Sequence, residues 1–398
     1  MHFLKKISSH LLKSTSLDNK RFLFDKITMS SRIVGIVGGR GVGKTTLLLQ
    51  LMKTRLGKND RGLYLSLDDS YFASHSLLDT AQKSVQGGIT HLFIDELHKY
   101  PDGLNDIQVI EREMPGLSVV FAASSLGDHD SIFYELSRIA DLHFLPGLSF
   151  REYLAFRHQH YFPIIPFNEL VEYNRIPGDK VLNRIRPLQY FDDYLRLGYY
   201  PAGYEGEMDS VVWIKELLAR ILEGDFTAVH HIDYESILKI KRILMILAEN
   251  GPLKPNIEKL ADQVGTTRDS LLKFLKYMHK AGLIGWLTGG QEDINYVNKP
   301  DRLCLNHPNL IRALYGDNAE SSNIYESFLL NQLRVSHQVN LTIEGDFLID
   351  QEYVFELPWS NAKRKRKSEG SILKYEISPG AEKRDTNKLP LWMIGFLY

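Results

Sequence analysis

The sequence predicts an α/β protein with a parallel sheet near its amino terminus, followed by mainly helical segments. Between residues 31 and 144, short apolar runs rich in β-branched residues alternate with helical stretches. A glycine-rich loop also joins the first of these runs to a helix-favouring segment. Parallel strands require long crossover connections, which helices usually supply. From about Leu148 the pattern changes to longer helical segments rich in aromatic residues, so we expect further domains there.

Length and composition restrict the class of protein. The chain has 398 residues, which predicts two or three domains. Apolar residues make up 43% and charged residues 24%, as in ordinary globular proteins. The net charge of -1 provides no overall attraction to nucleic acid, and the single cysteine, Cys304, excludes disulfides within the chain and multi-cysteine metal sites. Since no apolar run approaches the roughly 20 residues that span a bilayer, we expect a cytoplasmic protein without membrane contact.

The elements of the first domain follow in order. The first 28 residues combine apolar positions with lysines, which predicts a packed helical arm. Each of the next four apolar runs is short enough for a buried strand, and helical stretches between them would cover both faces of the sheet. The predicted strands are Arg32 to Val37, Gly62 to Ser66, Thr90 to Asp95 and Ser118 to Ala123.

A phosphate-binding loop lies between the first strand and the next helix. Residues 38–45 fit the pattern G-x-x-x-x-G-K-[ST], which in a strand–loop–helix setting is typical of P-loop proteins. The glycines let successive backbone N–H groups point toward phosphate oxygens, and the helix N-terminus adds the positive end of its dipole. Lys44 is expected to contact the β- and γ-phosphates and Thr45 to coordinate Mg²⁺. The predicted ATP-binding residues are Gly38, Gly39, Arg40, Gly41, Val42, Gly43, Lys44, Thr45 and Thr46.

Two acids stand at the end of the strand that lies about 50 residues after the loop. In P-loop proteins that strand end lies beside the phosphates, where Asp95 would hold Mg²⁺ and Glu96 would orient and deprotonate the attacking water. The alternative is that both acids begin a solvated loop. The strand Gly62 to Ser66 between the two motifs predicts that the acid-bearing strand does not neighbour the P-loop strand, as in ATPases with an additional central strand.

Ser124 and Arg138 complete the predicted catalytic set with Lys44 and Glu96. Ser124 follows the strand Ser118 to Ala123 and would contact the γ-phosphate or the water as a sensor, the alternative being a plain turn. Arg138 would place a positive charge near the phosphates of its own site or of a neighbouring subunit's site. The second arrangement requires a homo-oligomer, and a surface salt bridge is the alternative for this arginine.

Several segments match one family in the same order along the chain. They are Arg40 to Leu48, Phe93 to Glu96, Leu148 to Leu154, Tyr194 to Pro201, Ala281 to Ile284 and Leu389 to Tyr398. With this set the chain resembles the AAA-type ATPases of bacteria and archaea that carry a C-terminal domain related to restriction endonucleases. The resemblance covers nearly the whole chain. It implies the P-loop NTPase fold of the additional-strand type and the use of ATP and Mg²⁺.

The remainder of the chain divides where the sequence pattern changes. Gly251 and Pro252 end an apolar helix, and the apolar spacing from Ile257 to Val264 predicts the first helix of a helix-turn-helix. Gly265 supplies the turn, Thr266 is expected to cap the second helix, and a strand followed by Gly289 and Gly290 predicts a wing. We therefore expect an N-terminal helical arm (1–28), a P-loop ATPase domain (29–147), a helical lid or connector (148–250), a winged-helix-like domain (251–305) and a small C-terminal α/β domain (306–398).

The resemblance also points to a metal-dependent nuclease site in the last segment. In related nuclease folds a helix glutamate, a strand aspartate and an E-x-K motif hold a metal that activates water. Glu326, Asp346 and Glu356 occupy the acid positions, but the lysine position is Pro358, and Lys363 lies beyond an intervening stretch. The pattern favours a degenerate nuclease fold used for docking, with metal-dependent cleavage as the alternative.

Local positive charge predicts two places for contact with DNA phosphates. One is residues 361–390, which contain nine basic and four acidic residues. The other is the second helix of the winged-helix-like segment, whose charged residues are Arg268, Asp269, Lys273, Lys276 and Lys280. A solvated loop and an internal packing element are the respective alternatives.

These patterns predict an ATPase that uses Mg²⁺ and couples hydrolysis to a conformational switch and a partner, with DNA as one hypothesis. Two alternatives stay open: an ATP-regulated, metal-dependent nuclease, and a DNA-binding regulator that senses nucleotide.

Overall fold

The computed structural model describes residues 1–57, 60–124, 136–172, 178–204, 210–227, 232–287, 300–360 and 373–398. The chain forms two compact units. The first comprises Met1–Gly147 and Ile221–Ile232, and the second comprises Leu148–Arg220 and Asp233–Tyr398. A short stretch after residue 220 therefore belongs to the first unit.

A five-stranded parallel sheet forms the centre of the first unit. The strands are β1 (Ile33–Val37), β2 (Gly62–Ser66), β3 (His91–Asp95), β4 (Ser118–Ala123) and β5 (Asp141–Phe144), and their order in the sheet is β2-β3-β4-β1-β5. Every neighbouring pair is parallel. Because β4 lies between β1 and β3, the prediction of an additional central strand is confirmed.

The sequence analysis does not predict β5. Its residues, including Asp141 and His143, form no continuous apolar run, and both the first and the last are exposed. Pairing with β1 at the edge of the sheet makes this segment a strand. Tertiary hydrogen bonding therefore decides the conformation of β5.

Helices cover the sheet and bury its apolar side chains. They are α1 (His2–Ser14), α2 (Leu23–Lys26), α3 (Lys44–Arg55), α4 (Leu77–Gln86) and α5 (Gly103–Glu113). In α4, Leu77 and Ala81 lie one turn apart and are buried, as are Ile107 and Ile110 in α5. These side chains join strand residues such as Leu92 in one apolar core. Burial of such a core is the main favourable contribution to folding.

The amino-terminal arm is packed, as predicted. Leu4 and Leu23 are buried, and so is Arg21. The Arg21 guanidinium donates hydrogen bonds to the carbonyl oxygens of Val42 (2.5 Å), Pro146 (2.8 Å) and Gly147 (2.8 Å). Since Val42 is part of the glycine-rich loop, Arg21 fixes the arm against that loop.

The second unit combines helices with two sheets. Its helices are α6 (Phe150–His158), α7 (Phe167–Val171), α8 (Asp179–Leu182), α9 (Leu188–Leu197), α10 (Ser210–Ala219), α11 (Tyr234–Asn250), α12 (Ile257–Val264), α13 (Arg268–Lys280), α14 (Pro308–Tyr315), α15 (Ser321–Leu333) and α16 (Leu391–Ile394). A π-helix, Arg220–Asp225, follows α10. None of the helices within the described residues is both long and apolar enough to cross a bilayer.

A mixed five-stranded sheet contains the carboxy-terminal strands. They are β8 (Val339–Leu341), β9 (Phe347–Ile349), β10 (Tyr353–Glu356), β11 (Leu373–Ser378) and β12 (Lys388–Pro390), in the order β12-β11-β10-β9-β8. The pairs among β8, β9 and β10 are antiparallel, and those among β10, β11 and β12 are parallel. The sequence analysis does not predict β11 or β12 as strands.

Two helices and a two-stranded sheet follow one another between α11 and α14. Gly265 ends α12 in the left-handed conformation (φ 73°), as its predicted turn requires. The cap of α13 is Thr267, which accepts a hydrogen bond from the backbone N–H of Ser270, so the prediction of Thr266 as the cap is wrong by one residue. β6 (Ile284–Leu287) and β7 (Arg302–Leu305) form the antiparallel pair. Gly289 and Gly290 lie outside the described residues, and the winged helix stays a prediction.

Candidate nucleotide-binding site

The glycine-rich loop joins β1 to α3 with a backbone that demands glycine at three positions. Gly41 (φ 82°) and Gly43 (φ 97°) have positive φ values, which residues with a side chain rarely adopt. At Gly38 a Cβ atom would lie 2.2 Å from the carbonyl oxygen of Leu145. The loop can therefore curve tightly and present the N-terminus of α3, whose cap residue, Gly43, supplies no side-chain hydrogen bond.

Lys44 places a buried ammonium inside this loop. Its side chain is 7% exposed, and Nζ donates to the carbonyl oxygens of Gly38 (3.0 Å) and Gly39 (2.8 Å) and to Ser124 Oγ (3.4 Å). Burial lowers the pKa of Lys44, and the nearby Glu96 and Asp95 carboxylates oppose that shift. In the described part of the chain, Lys44 forms no ion pair within 4 Å of a carboxylate, and its three hydrogen bonds all go to neutral oxygens. A buried cation of this kind fits an anionic ligand such as a phosphate.

Asp95 is held by three hydrogen bonds at the carboxyl end of β3. The Thr45 hydroxyl donates to Oδ2 at 2.6 Å, the Tyr64 hydroxyl donates to the same oxygen at 3.0 Å, and the Glu96 backbone N–H donates to Oδ1 at 2.9 Å. Thr45 and Asp95, both predicted to hold Mg²⁺, are therefore in direct contact. Burial and the Asp95 charge raise the pKa of Tyr64 well above its usual value, so its hydroxyl keeps its proton and stays a donor.

Glu96 and His98 form a second group beside Asp95. Glu96 adopts a left-handed backbone (φ 55°) that begins a short 3₁₀ turn, and its Oε2 lies 3.4 Å from Nε2 of His98. The backbone N–H of Ser124 donates to Nδ1 of His98 at 3.1 Å. Burial raises the pKa of Glu96, and the Asp95 charge raises it further, whereas burial lowers the pKa of His98 to about 3. The imidazole is consequently neutral near pH 7.

An ion pair joins the loop to the stretch after residue 220. Arg40 Nη1 lies 2.6 Å from Oδ1 of Asp225, whose side chain is 5% exposed. The other carboxylate oxygen, Oδ2, is buried without a hydrogen-bond partner in the described chain. Asp225 also contributes to the electrostatic environment of Lys44. A carboxylate thus lies close to the positively charged loop.

The other predicted site residues are placed as follows. Val42 is buried, and its carbonyl accepts the hydrogen bond from Arg21, while Thr46 is exposed in the first turn of α3. Arg138 lies in an exposed turn before β5, and among the described residues no hydrogen bond or ion pair joins it to the loop, Asp95 or Glu96. Its catalytic role stays a prediction. The structure thus brings Lys44, Thr45, Asp95, Glu96 and Ser124 together but not Arg138.

Three contact residues were missed by the sequence analysis. His98 lies two residues after Glu96, so its nearness to the predicted acids could have marked it as a site residue. Tyr64 lies inside an apolar strand, and Asp225 lies far along the chain, so neither shows a motif. Their contacts arise because the sheet order and the return of the chain bring distant residues to one edge of the sheet.

The local chemistry fits Mg-ATP. The buried Lys44 ammonium and the amides at the start of α3 suit phosphate oxygens. The Thr45 hydroxyl and the Asp95 carboxylate are oxygen ligands of the type that Mg²⁺ prefers.

The acids that the sequence places in a nuclease site form other contacts in the structure. Glu326 is 1% exposed, and its oxygens lie 2.5 Å and 2.6 Å from the guanidinium of Arg302. Asp346 Oδ2 accepts a hydrogen bond from the Leu357 N–H at 2.8 Å. The structure, in the parts that it describes, contains no group of three acidic, histidine or cysteine residues able to hold a metal ion. Lys363 lies outside the described residues.

We expect Arg302→Met to destabilise the second unit by about 3 kcal/mol, because it leaves the Glu326 carboxylate buried without its cation. Burial already raises the pKa of Glu326, and Arg302 opposes that rise. Without Arg302, Glu326 would bind a proton more tightly in the folded state than in the unfolded state. The loss of folding stability should therefore grow as the pH rises from 5 to 8. Urea unfolding at pH 5 and at pH 8 measures this loss of stability. The double variant Arg302→Met/Glu326→Met should regain much of the stability, and an unchanged midpoint for the single variant would contradict the prediction.

Comparisons with known proteins agree with the fold of the first unit. Residues 30–154 match a family described as an AAA domain, and residues 188–321 match a domain of unknown function (DUF8612). No curated protein matches the chain.

Solved structures similar to the chain include AMPPCP-bound DnaA from Aquifex aeolicus, with 12% identity over 70% of this chain and 88% of that one and a TM-score of 0.27. PCH-2 from C. elegans is also similar, with 12% identity over 71% of this chain and 69% of that one and a TM-score of 0.26. Such low scores add nothing to the assignment, which depends on the family match, the strand order and the loop. The match of residues 30–154 to the AAA domain model, the strand order and the glycine-rich loop together indicate a P-loop nucleotide-binding fold in the first unit.

Proposed function

We propose that the first unit binds Mg-ATP and hydrolyses it to drive a conformational switch. The observation that carries this proposal is the contact between the Thr45 hydroxyl and Asp95 Oδ2 at 2.6 Å, beside the buried Lys44 ammonium. It unites the P-loop and the acid pair, which are about 50 residues apart in the sequence. Both motifs therefore serve one site.

Each residue has a role in the proposed reaction. Lys44 and the loop amides, including those of Thr45 and Thr46, bind phosphate oxygens. The Thr45 hydroxyl and Asp95 would hold Mg²⁺, which would neutralise charge on the phosphates. Glu96 orients the attacking water and accepts its proton. Because burial raises the pKa of Glu96, this carboxylate is a stronger base than an exposed one.

Ser124 is proposed as the sensor of the γ-phosphate, because its hydroxyl lies 3.4 Å from Lys44 Nζ. Arg138 is proposed to add positive charge at its own site or at that of a neighbouring subunit. The second arrangement would require a homo-oligomer.

The proposed partner of the switch is DNA, bound through the second unit. On α13, Arg268 and Lys273 are exposed, whereas Lys276 and Lys280 are half-buried. Exposed cations on one helix can contact backbone phosphates and would make binding salt-dependent. The winged helix and a cytoplasmic location belong to the same proposal.

The test is ATP turnover by the full chain, measured alone, with single-stranded DNA and with double-stranded DNA. Turnover that requires Mg²⁺ supports the ATPase, and stimulation by either DNA supports the proposed partner. Absence of heat on titration with Mg-ATP or Mg-GTP would overturn the whole proposal. Turnover without DNA retention at low salt would overturn the partner alone.

Asp225→Asn is expected to strengthen Mg-ATP binding about tenfold, equivalent to about 1.4 kcal/mol. The reason is that the carboxylate lies near Lys44 and holds Arg40, so it repels the triphosphate and occupies a cation of the loop. Isothermal titration calorimetry measures the change. Asp79→Asn, an exposed acid on α4, is the matched control and should bind as the unaltered protein does. Equal or weaker binding by Asp225→Asn would contradict the prediction.

A further inference from the structure

We propose that His98 is a positioning residue that connects the backbone of Ser124 to the carboxylate of Glu96. This inference rests on the proposed ATPase function, in which Glu96 acts on the attacking water. His98 lies in the 3₁₀ turn after β3, and Ser124 directly follows β4. The two strands are neighbours, so their carboxyl ends meet at the same edge of the sheet.

The hydrogen bond from Ser124 determines where the imidazole carries its proton. A backbone N–H can only donate, and it donates to His98 Nδ1 at 3.1 Å. Nδ1 must therefore offer a lone pair, which excludes both the imidazolium and the tautomer with hydrogen on Nδ1. The single ring proton lies on Nε2. His98 is thus a donor toward whatever faces Nε2.

The group that faces Nε2 is the Glu96 carboxylate. Nε2 and Glu96 Oε2 are 3.4 Å apart, and both atoms are buried without a hydrogen-bond partner among the described residues. The distance slightly exceeds the usual 2.7 to about 3.2 Å of an N–H···O bond. Hydrogen bonds in a catalytic site are often long in the free enzyme and shorten in the complex. A small rotation of either side chain would satisfy both atoms.

Other neighbours of Glu96 hold it less directly. Lys99 Nζ lies 4.0 Å from Oε2, and it is already bonded to Asp68 at 2.5 Å. His98 is therefore the closest described donor that can orient this carboxylate toward water.

The same contacts connect Glu96 to the phosphate site. The Ser124 hydroxyl lies 3.4 Å from Lys44 Nζ, while the Ser124 amide holds His98. A shift of Ser124 when the γ-phosphate binds would move the imidazole and hence the carboxylate. His98 would then make the position of Glu96 depend on the bound nucleotide.

Two substitutions separate the two hydrogen bonds of His98. Asparagine in His98→Asn can accept from the Ser124 amide in place of Nδ1 but does not reach Glu96, whereas glutamine in His98→Gln can place a donor near the position of Nε2. We expect His98→Asn to lower kcat at least about tenfold with KM changed less than about threefold, because the contact serves Glu96 and not nucleotide binding. His98→Gln should recover most of that loss. His10→Asn, an exposed position on α1, is the matched control.

Equal impairment of the Asn and Gln variants, or full turnover by His98→Asn, would overturn the proposal. A protein that shows no ATP turnover at all would instead overturn the proposed function.

A second measurement needs neither turnover nor nucleotide. In ¹⁵N-labelled protein near pH 7, long-range proton–nitrogen spectra should show His98 with a bare Nδ1 and a protonated Nε2. The His98 signal is assigned by its loss in His98→Gln, and Glu96→Gln should shift its Nε2 resonance. A proton on Nδ1 would refute the proposed contact. An Nε2 chemical shift that is unchanged by Glu96→Gln would refute it as well, even if the activity variants fold poorly.

Discussion

Glu96→Gln is expected to lower the ATP turnover number by about 10²- to 10³-fold while the protein still binds Mg-ATP. Glutamine keeps the size and shape of glutamate but cannot accept a proton from water. Single-turnover hydrolysis measures the chemical step, and calorimetry measures binding. The two results together separate a lost base from a lost binding site.

The matched control for this variant is Glu113→Gln, which changes an exposed acid at the end of α5. It should hydrolyse ATP as the unaltered protein does. If Glu96→Gln also turns over ATP at the original rate, Glu96 is not the base.

Lys44→Ala is expected to weaken Mg-ATP binding by about 100-fold, which corresponds to about 2.7 kcal/mol. The lost ammonium is buried in the loop and has only neutral oxygens as partners, so it is available to the phosphates. Calorimetric titration with Mg-ATP measures the loss. Lys83→Ala, which removes an exposed lysine on α4, should bind normally.

Stability provides an independent check on Lys44→Ala. Burial lowers the pKa of Lys44, so near pH 7 the charged side chain is less favourable in the folded protein than in the unfolded chain. Its removal should therefore leave the thermal midpoint equal or higher, although binding is lost. Normal binding by the variant, or a loss explained by unfolding, would contradict the proposed role.

The sequence predicted the central elements of the site because they are local patterns. A glycine-rich loop between a strand and a helix requires only consecutive residues, and Gly41 and Gly43 do adopt the positive φ values that such a loop needs. The acid pair is similarly local, because Asp95 and Glu96 follow one buried apolar strand. The structure also agrees with the prediction that the acid-bearing strand does not neighbour the P-loop strand, and it brings Thr45 into contact with Asp95.

The same reasoning could not find β5. Its residues carry no apolar run, and only pairing with β1 shows that they form a strand. The helix cap at Thr267 was also missed by one residue, because Thr266 and Thr267 have equal capping chemistry and the backbone conformation distinguishes them.

The amino-acid sequence by itself determined the P-loop, the acids that oppose it and four of the five strands of its sheet. Tertiary structure alone decided that Ser124 holds His98 toward Glu96, that Arg40 pairs with Asp225, and that Arg302 neutralises Glu326. The physical reason is that backbone conformation and apolar periodicity are set by neighbours in the chain. Hydrogen bonds and ion pairs between buried side chains instead depend on the distances that folding creates between residues far apart in sequence.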